Sequence, residues 1–340
     1  MAKNGQGETS ENCRMAAGLR IAAEALPRFG IDADVPIELL PLSENVALRA
    51  RPADRPPVVV RISPLGRRAH EEVCSELAWL AALKKESDVP VVSALVSDSG
   101  ESAIRVADPV TGTVASLVVF EHVTGKEPQD GELAAIMPRL GLMSAQLHQH
   151  AVDWKRPAWF RRGRWDTEAA FGKQPRWGRW QAGVDDAGQR QMLERLEQVV
   201  TDRLNRFGTD RSRFGLVHAD LRSSNLLVDG DVCHLIDFDD AGFGWWLYDL
   251  ATALTFYEDH PQSDEMIASW VQAYREVRPL SDEDEREIPT FLMLRRLLTL
   301  AFLGNNSGIE VTREWLAEFP RRTCELAENY LGQFDKRPVA

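Results

Sequence analysis

Cysteine is scarce in this chain of 340 residues, which contains only Cys13, Cys74, Cys233 and Cys324. No two of them form a Cys-x-x-Cys pair, the spacing that is typical of zinc-binding and redox motifs. Isolated cysteines of this kind predict reduced thiols, and they exclude a disulfide-rich secreted fold. The sequence therefore favours a cytoplasmic protein without a structural zinc site.

Long apolar runs and excess positive charge are also missing. No run approaches the ~20 residues that a membrane-spanning helix requires. Residues 1–12 lack the apolar region of a signal peptide, so we expect a flexible tail over residues 1–14. The 40 Lys and Arg residues are outnumbered by 52 Asp and Glu residues, and the net charge is −12. This balance argues against nucleic-acid binding, which needs a broad basic face. We therefore expect neither a membrane nor a nucleic-acid partner.

Glycine-rich phosphate-binding motifs are absent as well. Gly125-Lys126 and Gly172-Lys173 lack both the upstream glycine and the following Ser or Thr of a Walker A motif. No Gly-x-Gly-x-x-Gly run occurs, and the chain shows no internal repeat or low-complexity stretch. The sequence therefore excludes a P-loop nucleotide-binding fold.

What the chain does contain is one dense polar motif. It reads His218-Ala219-Asp220-Leu221-Arg222-Ser223-Ser224-Asn225, followed by Leu235-Ile236-Asp237-Phe238. Phosphoryl transfer needs a carboxylate that accepts the proton of the attacking hydroxyl, and it needs oxygen ligands for magnesium on the nucleotide. At this spacing Asp220 is predicted to be the general base, and Asn225 and Asp237 are predicted to be the magnesium ligands.

The residues between these side chains predict a β-hairpin. Residues 226–228 and 232–236 have the composition of two short strands, and Asp229-Gly230 is a strong two-residue turn signal. A turn at that position would set Asp237 opposite Arg222. The general base and both metal ligands would then converge at one end of the hairpin.

This segment resembles the aminoglycoside phosphotransferase and choline kinase-like branch of the protein-kinase-like fold. Within that branch it is most similar to the homoserine-kinase-type and stress-response-kinase-type phosphotransferases. The resemblance also covers residues 75–80, 154–180 and 242–251, and thus runs roughly from Leu39 to Leu331. It implies a bilobal α+β fold that uses ATP and Mg²⁺ and phosphorylates a hydroxyl group.

The predicted elements agree with such a fold. Strands are predicted over residues 37–40, 46–50, 58–62, 94–96, 103–106 and 114–122, and helices over residues 15–26 and 68–85. This order suits an antiparallel sheet with one packed helix, and beyond residue 131 the chain is mostly helical apart from the hairpin. We therefore expect an N-terminal nucleotide-binding lobe over residues 15–123 and a C-terminal catalytic and acceptor-binding lobe over residues 124–340.

Three positions in the first lobe are candidate phosphate contacts. The resemblance implies that Ser43 and Asn45, in the loop between the first two strands, offer donors to phosphate; the alternative is a plain turn, which both residue types favour. Arg61 occupies the strand position where kinases carry a phosphate-binding lysine. An arginine keeps the charge and can bind phosphate through two nitrogens, although a solvated arginine is the alternative.

The helix after this strand should supply a carboxylate for Arg61. At ~100° per residue, Glu76 falls at the edge of the apolar face, whereas Glu71 and Glu72 turn toward solvent. We therefore predict an ion pair between Arg61 and Glu76.

The end of the last strand is the expected hinge for adenine. The resemblance implies that backbone groups of Glu121 and Val123 bind the adenine edge beside Phe120. Burial of Phe120 in the core is the alternative, because that is the commoner position of a phenylalanine.

Five further residues have predicted roles around the base. His218 is expected to pack beneath the catalytic loop, and Asp249 is expected to orient that loop. Arg222 matches a kinase lysine that contacts the γ-phosphate, where a cation would offset charge on the transferred group; a solvated arginine is the alternative. Asp239 is a candidate acceptor contact or a simple loop residue, as is the neighbouring Asp240.

An irregular stretch between Trp154 and Trp180 precedes the motif. It holds five tryptophans and eight basic against two acidic residues, a local net charge of +6. This composition predicts a lid over the acceptor pocket, with Arg164 and Trp165 as candidate contacts to an anionic or zwitterionic acceptor. The alternative is that the tryptophans pack the core and the arginines are solvated.

These observations predict an ATP- and magnesium-dependent O-phosphotransferase that acts on a small hydroxylated molecule. Two alternatives remain open: a Ser/Thr protein kinase of the bacterial stress-response type, and a nucleotide-binding regulator without catalysis. The complete set of Asp220, Asn225 and Asp237 argues against the second, because a protein that only binds nucleotide does not need a general base.

Overall fold

The computed structural model describes residues 4–40, 45–64, 68–306 and 310–335, with side chains from residue 12 onward except 130 and 310–314. Its helices are α1 (Asn4–Ala25), α2 (His70–Glu86), α3 (Leu133–Asp153), α4 (Thr167–Phe171), α5 (Ala187–Phe207), α6 (Trp246–Ala253), α7 (Ser263–Arg275), α8 (Asp282–Glu285), α9 (Ile288–Asn305) and α10 (Glu310–Phe334). Its strands are β1 (Ile37–Leu39), β2 (Val46–Ala50), β3 (Val58–Pro64), β4 (Ala103–Ala107), β5 (Val114–Glu121), β6 (Arg164–Trp165), β7 (Phe214–Val217), β8 (Leu226–Asp229), β9 (Val232–Leu235) and β10 (Gly242–Trp245).

The chain divides into two compact units. The first consists of Met1–Glu127, Trp154–Arg162 and Leu226–Asp239; the second consists of Pro128–Asp153, Gly163–Asn225 and Asp240–Ala340. The sequence analysis places a single boundary after residue 123. In the structure the first unit continues to Glu127 and takes in two later segments, one of which is the β8–β9 hairpin.

The first unit is built on a five-stranded antiparallel sheet in the order β1-β2-β3-β5-β4. The β-branched run Val58-Val59-Val60 forms the central strand β3, which suits the high β-propensity of valine. The predicted strands and their order are confirmed, except that residues 94–96 contribute only an isolated bridge from Ala94 to Phe120. Helix α1 begins at Asn4, well before the predicted start at residue 15, and it covers most of the stretch that we expect to be a tail.

One face of this sheet packs against α1 to form the core of the first unit. The core consists of aliphatic and aromatic side chains from α1, the segment after it and the sheet, including Ile21, Leu26, Phe29, Leu48, Val60, Ile104, Leu117 and Val119. Helix α2 brings a second buried row that contains Val73, Glu76, Trp79 and Leu80. This helix and sheet carry Glu76 and Arg61, two of the residues that are predicted from the sequence to form the site.

The β8–β9 hairpin is present, but its predicted register is wrong. Asp229 pairs with Val232, so Gly230 and Asp231 form the two-residue turn. Gly230 has φ +58°, a left-handed conformation that glycine adopts without steric strain. The ladder is therefore shifted by two residues from the expected one, and it ends at the pair Leu226–Leu235. Strand pairing does not itself extend to Asp237.

The second unit is mainly helical, as predicted. Helix α3 packs against α7 at Gly141, where an added Cβ would lie 2.3 Å from the carbonyl oxygen of Trp270, so only glycine allows this close approach. A short sheet in the order β6-β10-β7 leads into the catalytic motif. Helix α8 is capped at its start, since the side chain of Ser281 accepts a hydrogen bond from the backbone nitrogen of Asp284.

Two expectations about the chain as a whole can be compared with this structure. All four cysteines are free thiols. Among the described residues, no helix is both long enough and apolar enough to cross a membrane.

Candidate active site

The catalytic loop follows β7 in the second unit and is held by one buried carboxylate. Asp249 accepts hydrogen bonds from the backbone nitrogens of His218 (3.1 Å) and Ala219 (2.7 Å). It also contacts Nε2 of His148 at 2.9 Å. Ala219 has φ +68°, and such strained backbone conformations persist where the surroundings fix them. The predicted role of Asp249 as the residue that orients this loop is confirmed.

His218 packs within the loop, as predicted. Its side chain is fully buried, and its Nδ1 accepts a hydrogen bond from the backbone nitrogen of Asp220 at 3.2 Å. The imidazole is thereby bonded to the backbone of the residue that is predicted to be the base.

Asp220 has two of its predicted neighbours as direct partners. Nδ2 of Asn225 donates to Oδ2 of Asp220 at 2.9 Å and to its backbone oxygen at 2.8 Å. Nε of Arg222 donates to Oδ1 at 3.0 Å and to Oδ2 at 3.2 Å. Both bonds from Asn225 use its Nδ2 group. Its Oδ1 atom is the acceptor of the amide and is the atom that could bind a cation.

A third partner of Asp220 is not predicted from the sequence. Arg295 on α9 is buried and donates from Nη2 to Oδ1 of Asp220 at 2.8 Å. It also donates to Oγ1 of Thr255 at 2.9 Å and to the hydroxyl of Tyr248 at 3.3 Å. The available signal was the pair Arg295-Arg296 in the otherwise apolar sequence of α9, because buried arginines require partners.

These charges keep the carboxyl group of Asp220 ionised over the whole physiological pH range. Burial alone would raise the pKa of Asp220, but the charges of Arg222 and Arg295 outweigh it and lower the pKa to about 2. An ionised carboxylate is the form that can accept a proton.

The predicted Arg61–Glu76 ion pair is confirmed in the first unit. Nη1 and Nη2 of Arg61 lie 2.8 Å from Oε1 and Oε2 of Glu76, respectively. Both side chains are buried, so this is a bidentate pair in a desolvated environment. Glu71 instead forms an exposed pair with Arg105, as the helical phase predicts.

Asp237 lies at the end of the segment that follows β9. Its φ of +60° is unusual for an aspartate, and its side chain is 46% exposed, with Oδ1 3.9 Å from Nη1 of Arg61. Within the described ranges, no group of three or more His, Cys, Asp or Glu side chains could hold a metal by itself. Magnesium is usually bound by one or two carboxylates together with substrate phosphates. The carboxylate of Asp237 and the amide oxygen of Asn225 fit that ligand chemistry.

Asp239 lies in a cluster of cations in the first unit. Its Oδ2 accepts a hydrogen bond from Nδ2 of Asn45 at 3.1 Å, and its Oδ1 lies 2.7 Å from Nε of Arg68. Its backbone oxygen accepts a bond from Arg162. The carboxylate is buried and already has cationic and amide partners, which does not suit a direct acceptor contact. Ser43, the other predicted phosphate contact, lies outside the described residues.

The hinge segment ends β5. Phe120 is buried, and the guanidinium of Arg61 lies 5.3 Å from its ring centre. The backbone nitrogen of Glu121 donates to the oxygen of Ser93 at 2.9 Å. Val123 follows two residues later in the connection to Glu127.

The basic and aromatic insert is divided between the units. Trp165 is buried in the second unit, where its Nε1 donates to the backbone oxygen of Asp240 and its ring stacks on Tyr248. Arg164 is exposed and paired with Asp166. Arg176 lies 3.5 Å from Asp240. Trp165 thus packs within the second unit, and Arg164 and Arg176 pair with nearby carboxylates.

A cavity of about 620 Å³ opens beside the catalytic loop within the second unit. One side is formed by Arg222, Ser223 and Ser224, which follow the base. The opposite side is formed by residues 253–261 with Trp315 and Arg322. Phe256 has φ +74° and stacks on Trp315 with ring centres 4.1 Å apart. This cavity was not predicted from the sequence, because most of its other lining residues come from the turn after α6 and from α10, neither of which carries a motif.

Comparisons with known proteins agree with this arrangement. The chain is 26% identical over 318 residues to amicoumacin kinase of Bacillus subtilis, which covers 89% of this chain and 90% of that protein. It is 36% identical to the structure of a microcompartment-associated aminopropanol kinase, with a TM-score of 0.85 over 93% of this chain and 98% of that one. An amicoumacin kinase in complex with AMP-PNP and Ca²⁺ shares the fold, with a TM-score of 0.71 over 85% of this chain and 88% of that one at 20% identity.

The family assignment rests on a match to a family model that covers more than half of the chain. The phosphotransferase enzyme family matches residues 42–287, which include the nucleotide half of the site, the catalytic loop and the hairpin. The predicted resemblance and the predicted α+β kinase-like fold are both confirmed. The chain therefore belongs to the phosphotransferase enzyme family, and it is a kinase of the protein-kinase-like fold.

Proposed function

We propose that this protein transfers the γ-phosphate of ATP to the hydroxyl group of a small amino alcohol. The observation that carries the proposal is the position of Asp220. It is an ionised carboxylate that is fixed by three side chains, and one of these, Arg222, lines a cavity large enough for a small molecule.

Asp220 acts as the general base. The acceptor hydroxyl donates its proton to this carboxylate while its oxygen attacks the γ-phosphorus. The new oxygen–phosphorus bond forms as the bond to the β,γ-bridging oxygen breaks, and ADP leaves with that oxygen. Each carboxylate oxygen accepts two hydrogen bonds, Oδ1 from Arg295 and Arg222, and Oδ2 from Asn225 and Arg222. These bonds hold the carboxylate in place as the proton acceptor.

Cationic and metal groups offset the charge on the phosphates. Arg222 is a guanidinium beside the base and stabilises negative charge that develops on the transferred group. Asn225 offers an amide oxygen and Asp237 offers a carboxylate oxygen, and each is a ligand type that suits Mg²⁺. When bound, Mg²⁺ neutralises phosphate charge and orients the γ-phosphate.

The first unit would bind the nucleotide. Arg61 faces phosphate with its orientation fixed by Glu76, and Asn45 supplies an amide from the loop before β2. Adenine would use the carbonyl oxygen of Glu121 and the backbone nitrogen of Val123, because the nitrogen of Glu121 donates to Ser93.

The cavity supports an amine-bearing acceptor. Its charged groups are paired, Arg222 with Asp220 and Arg322 with Asp259, so aromatic faces supply much of the remaining surface. The rings of Phe256, Tyr257 and Trp315 line it, and ammonium groups bind favourably over such rings. Likeness to an aminopropanol kinase across nearly the whole chain supports the same class. Arg164 and Arg176 of the 154–180 insert already pair with carboxylates. They therefore give weaker support to an anionic acceptor.

A substrate panel tests the proposal. ATP consumption is measured with aminopropanol, ethanolamine and choline, against propanol and lactate as matched compounds without a cation, and against a generic protein substrate. We expect turnover with amino alcohols and a much lower kcat/KM for propanol. Faster turnover of lactate would show an anionic acceptor. Phosphorylation of the protein substrate alone would identify a protein kinase, and nucleotide binding without any turnover would identify a regulator.

A further inference from the structure

Asp239 joins two loops of the first unit that flank the predicted phosphate-binding residues. Asn45 immediately precedes β2, and its amide donates to Oδ2 of Asp239 at 3.1 Å. Arg68 lies between β3 and α2, and its Nε is 2.7 Å from Oδ1. One buried carboxylate thus holds Asn45, which precedes β2, and Arg68, which follows β3 in the sequence. Strand β3 carries Arg61.

The carboxylate of Asp239 is buried beside a buried cation, since Nε of Arg68 lies 2.7 Å from its Oδ1. Removal of one member of a buried ion pair leaves the other without a counter-charge, which is strongly unfavourable. Asp239 and Arg68 therefore depend on each other for their positions.

The backbone around Asp239 is fixed as firmly as its side chain. Nη2 of Arg162 donates to the carbonyl oxygens of Phe238 and Asp239, while Nη1 donates to the oxygen of Glu72 on α2 at 3.0 Å. The ring of Phe238 packs edge-on against Trp79 of the same helix, with ring centres 5.4 Å apart. The segment that carries Asp237 is consequently attached to the helix that carries Glu76.

From these contacts we propose that Asp239 is a positioning residue for the nucleotide phosphates. It holds Asn45 and Arg68 against the segment that presents Asp237, so that the phosphate-facing and metal-facing groups keep one arrangement. It does not touch the acceptor. This inference rests on the proposed function, because it requires the first unit to bind ATP.

The test compares two ligands that differ only in phosphate. Dissociation constants for MgATP and for adenosine are measured by titration calorimetry on wild-type protein and on Asp239→Asn. Loss of a charged hydrogen-bond partner costs about 1.5–3 kcal/mol, so we expect MgATP affinity to fall roughly 10- to 100-fold. Adenosine affinity should change by less than about twofold, because a positioning residue for phosphate leaves the adenine contacts intact. Asp98→Asn, an exposed aspartate of the same unit, is the matched control.

A second variant covers the case in which Asp239→Asn does not fold. The double variant Arg68→Met/Asp239→Asn removes one charge of each sign and so avoids an unpaired buried cation; the same selective loss of MgATP affinity is expected. Unchanged MgATP affinity, or equal losses for MgATP and adenosine, would overturn the inference. If wild-type protein binds neither ligand, the proposed function fails and this inference fails with it.

Discussion

Arg295 and Asp220 form a buried ion pair in which Nη2 lies 2.8 Å from Oδ1. The two residues are 75 positions apart in sequence, and they meet because α9 passes behind the catalytic loop. Since Arg295 also bonds to Thr255, a residue that lines the cavity, it connects the orientation of the base with one wall of the proposed acceptor site.

Substitution of Arg295 should impair turnover more than nucleotide binding. Arg295→Met removes a charged hydrogen bond to the base, which costs about 1.5–3 kcal/mol, so we expect kcat to fall roughly 10- to 100-fold. The KM for ATP should stay near the wild-type value. Steady-state kinetics check this, with the exposed Arg321→Met as control. A change in the KM for ATP alone would contradict the assigned role.

Glu76 should matter for nucleotide binding, whereas Glu71 on the same helix should not. Glu76→Gln leaves Arg61 buried without its carboxylate partner, and we expect the KM for ATP to rise roughly tenfold or more. Glu71→Gln removes only an exposed pair with Arg105, which contributes little. Equal effects of the two variants on the KM for ATP would show that the ion pair does not orient Arg61 for phosphate.

The variant Asp237→Asn tests whether Asp237 binds the metal ion or only stabilises the structure. An amide is a weaker ligand for magnesium than an anionic carboxylate, so binding of MgATP should weaken more than binding of ATP in the presence of a chelator. Titration calorimetry under both conditions measures the difference. If the two affinities fall equally, Asp237 has a structural role.

The pair of Arg20 and Asp108 should make stability of the first unit depend on pH. The hydrogen bond from Arg20 holds the pKa of Asp108 well below its usual range, and the two groups are 2.7 Å apart. The stabilisation is therefore complete above the unfolded pKa of about 4, and it is lost as pH falls through the folded pKa. Arg20→Met should lower the Tm at neutral pH, and the difference from wild type should shrink below about pH 4.

The control for this prediction is Arg51→Met, which breaks an exposed pair with Glu38 and should change the Tm little. A Tm difference between wild type and Arg20→Met that stays constant down to pH 2 would contradict the account.

Much of the nucleotide half could be predicted from local patterns. Alternating and β-branched residues define the strands of the first unit, and helical phase alone selects Glu76 over its two neighbours. The catalytic motif lies within eight residues, so its spacing already places Asp220 and Asn225 near each other. These features depend on the spacing of residues that are close together in the chain, and that spacing can be read from the sequence alone.

The remaining features depend on tertiary contacts. Arg295 lies on α9 and Phe256 lies in the turn after α6. Neither segment carries a motif, and tertiary packing brings both near Asp220. The hairpin register was wrong because Asp229-Gly230 and Gly230-Asp231 both favour a two-residue turn, and side-chain pairing decides between them. The contacts of Asp239 could not be predicted, because Asn45, Arg68 and Arg162 come from separate segments of the chain.

The most direct measurement of the central claim is the behaviour of Asp220→Asn with γ-labelled ATP and aminopropanol. The substitution keeps the size of the side chain and removes the base, which usually contributes about 10²–10⁴-fold to the rate. We predict that transfer of label to the acceptor falls by that factor while the Kd for MgATP stays within about threefold of wild type. Retention of more than about a tenth of wild-type turnover would contradict the account, because the proton would then be accepted by another group.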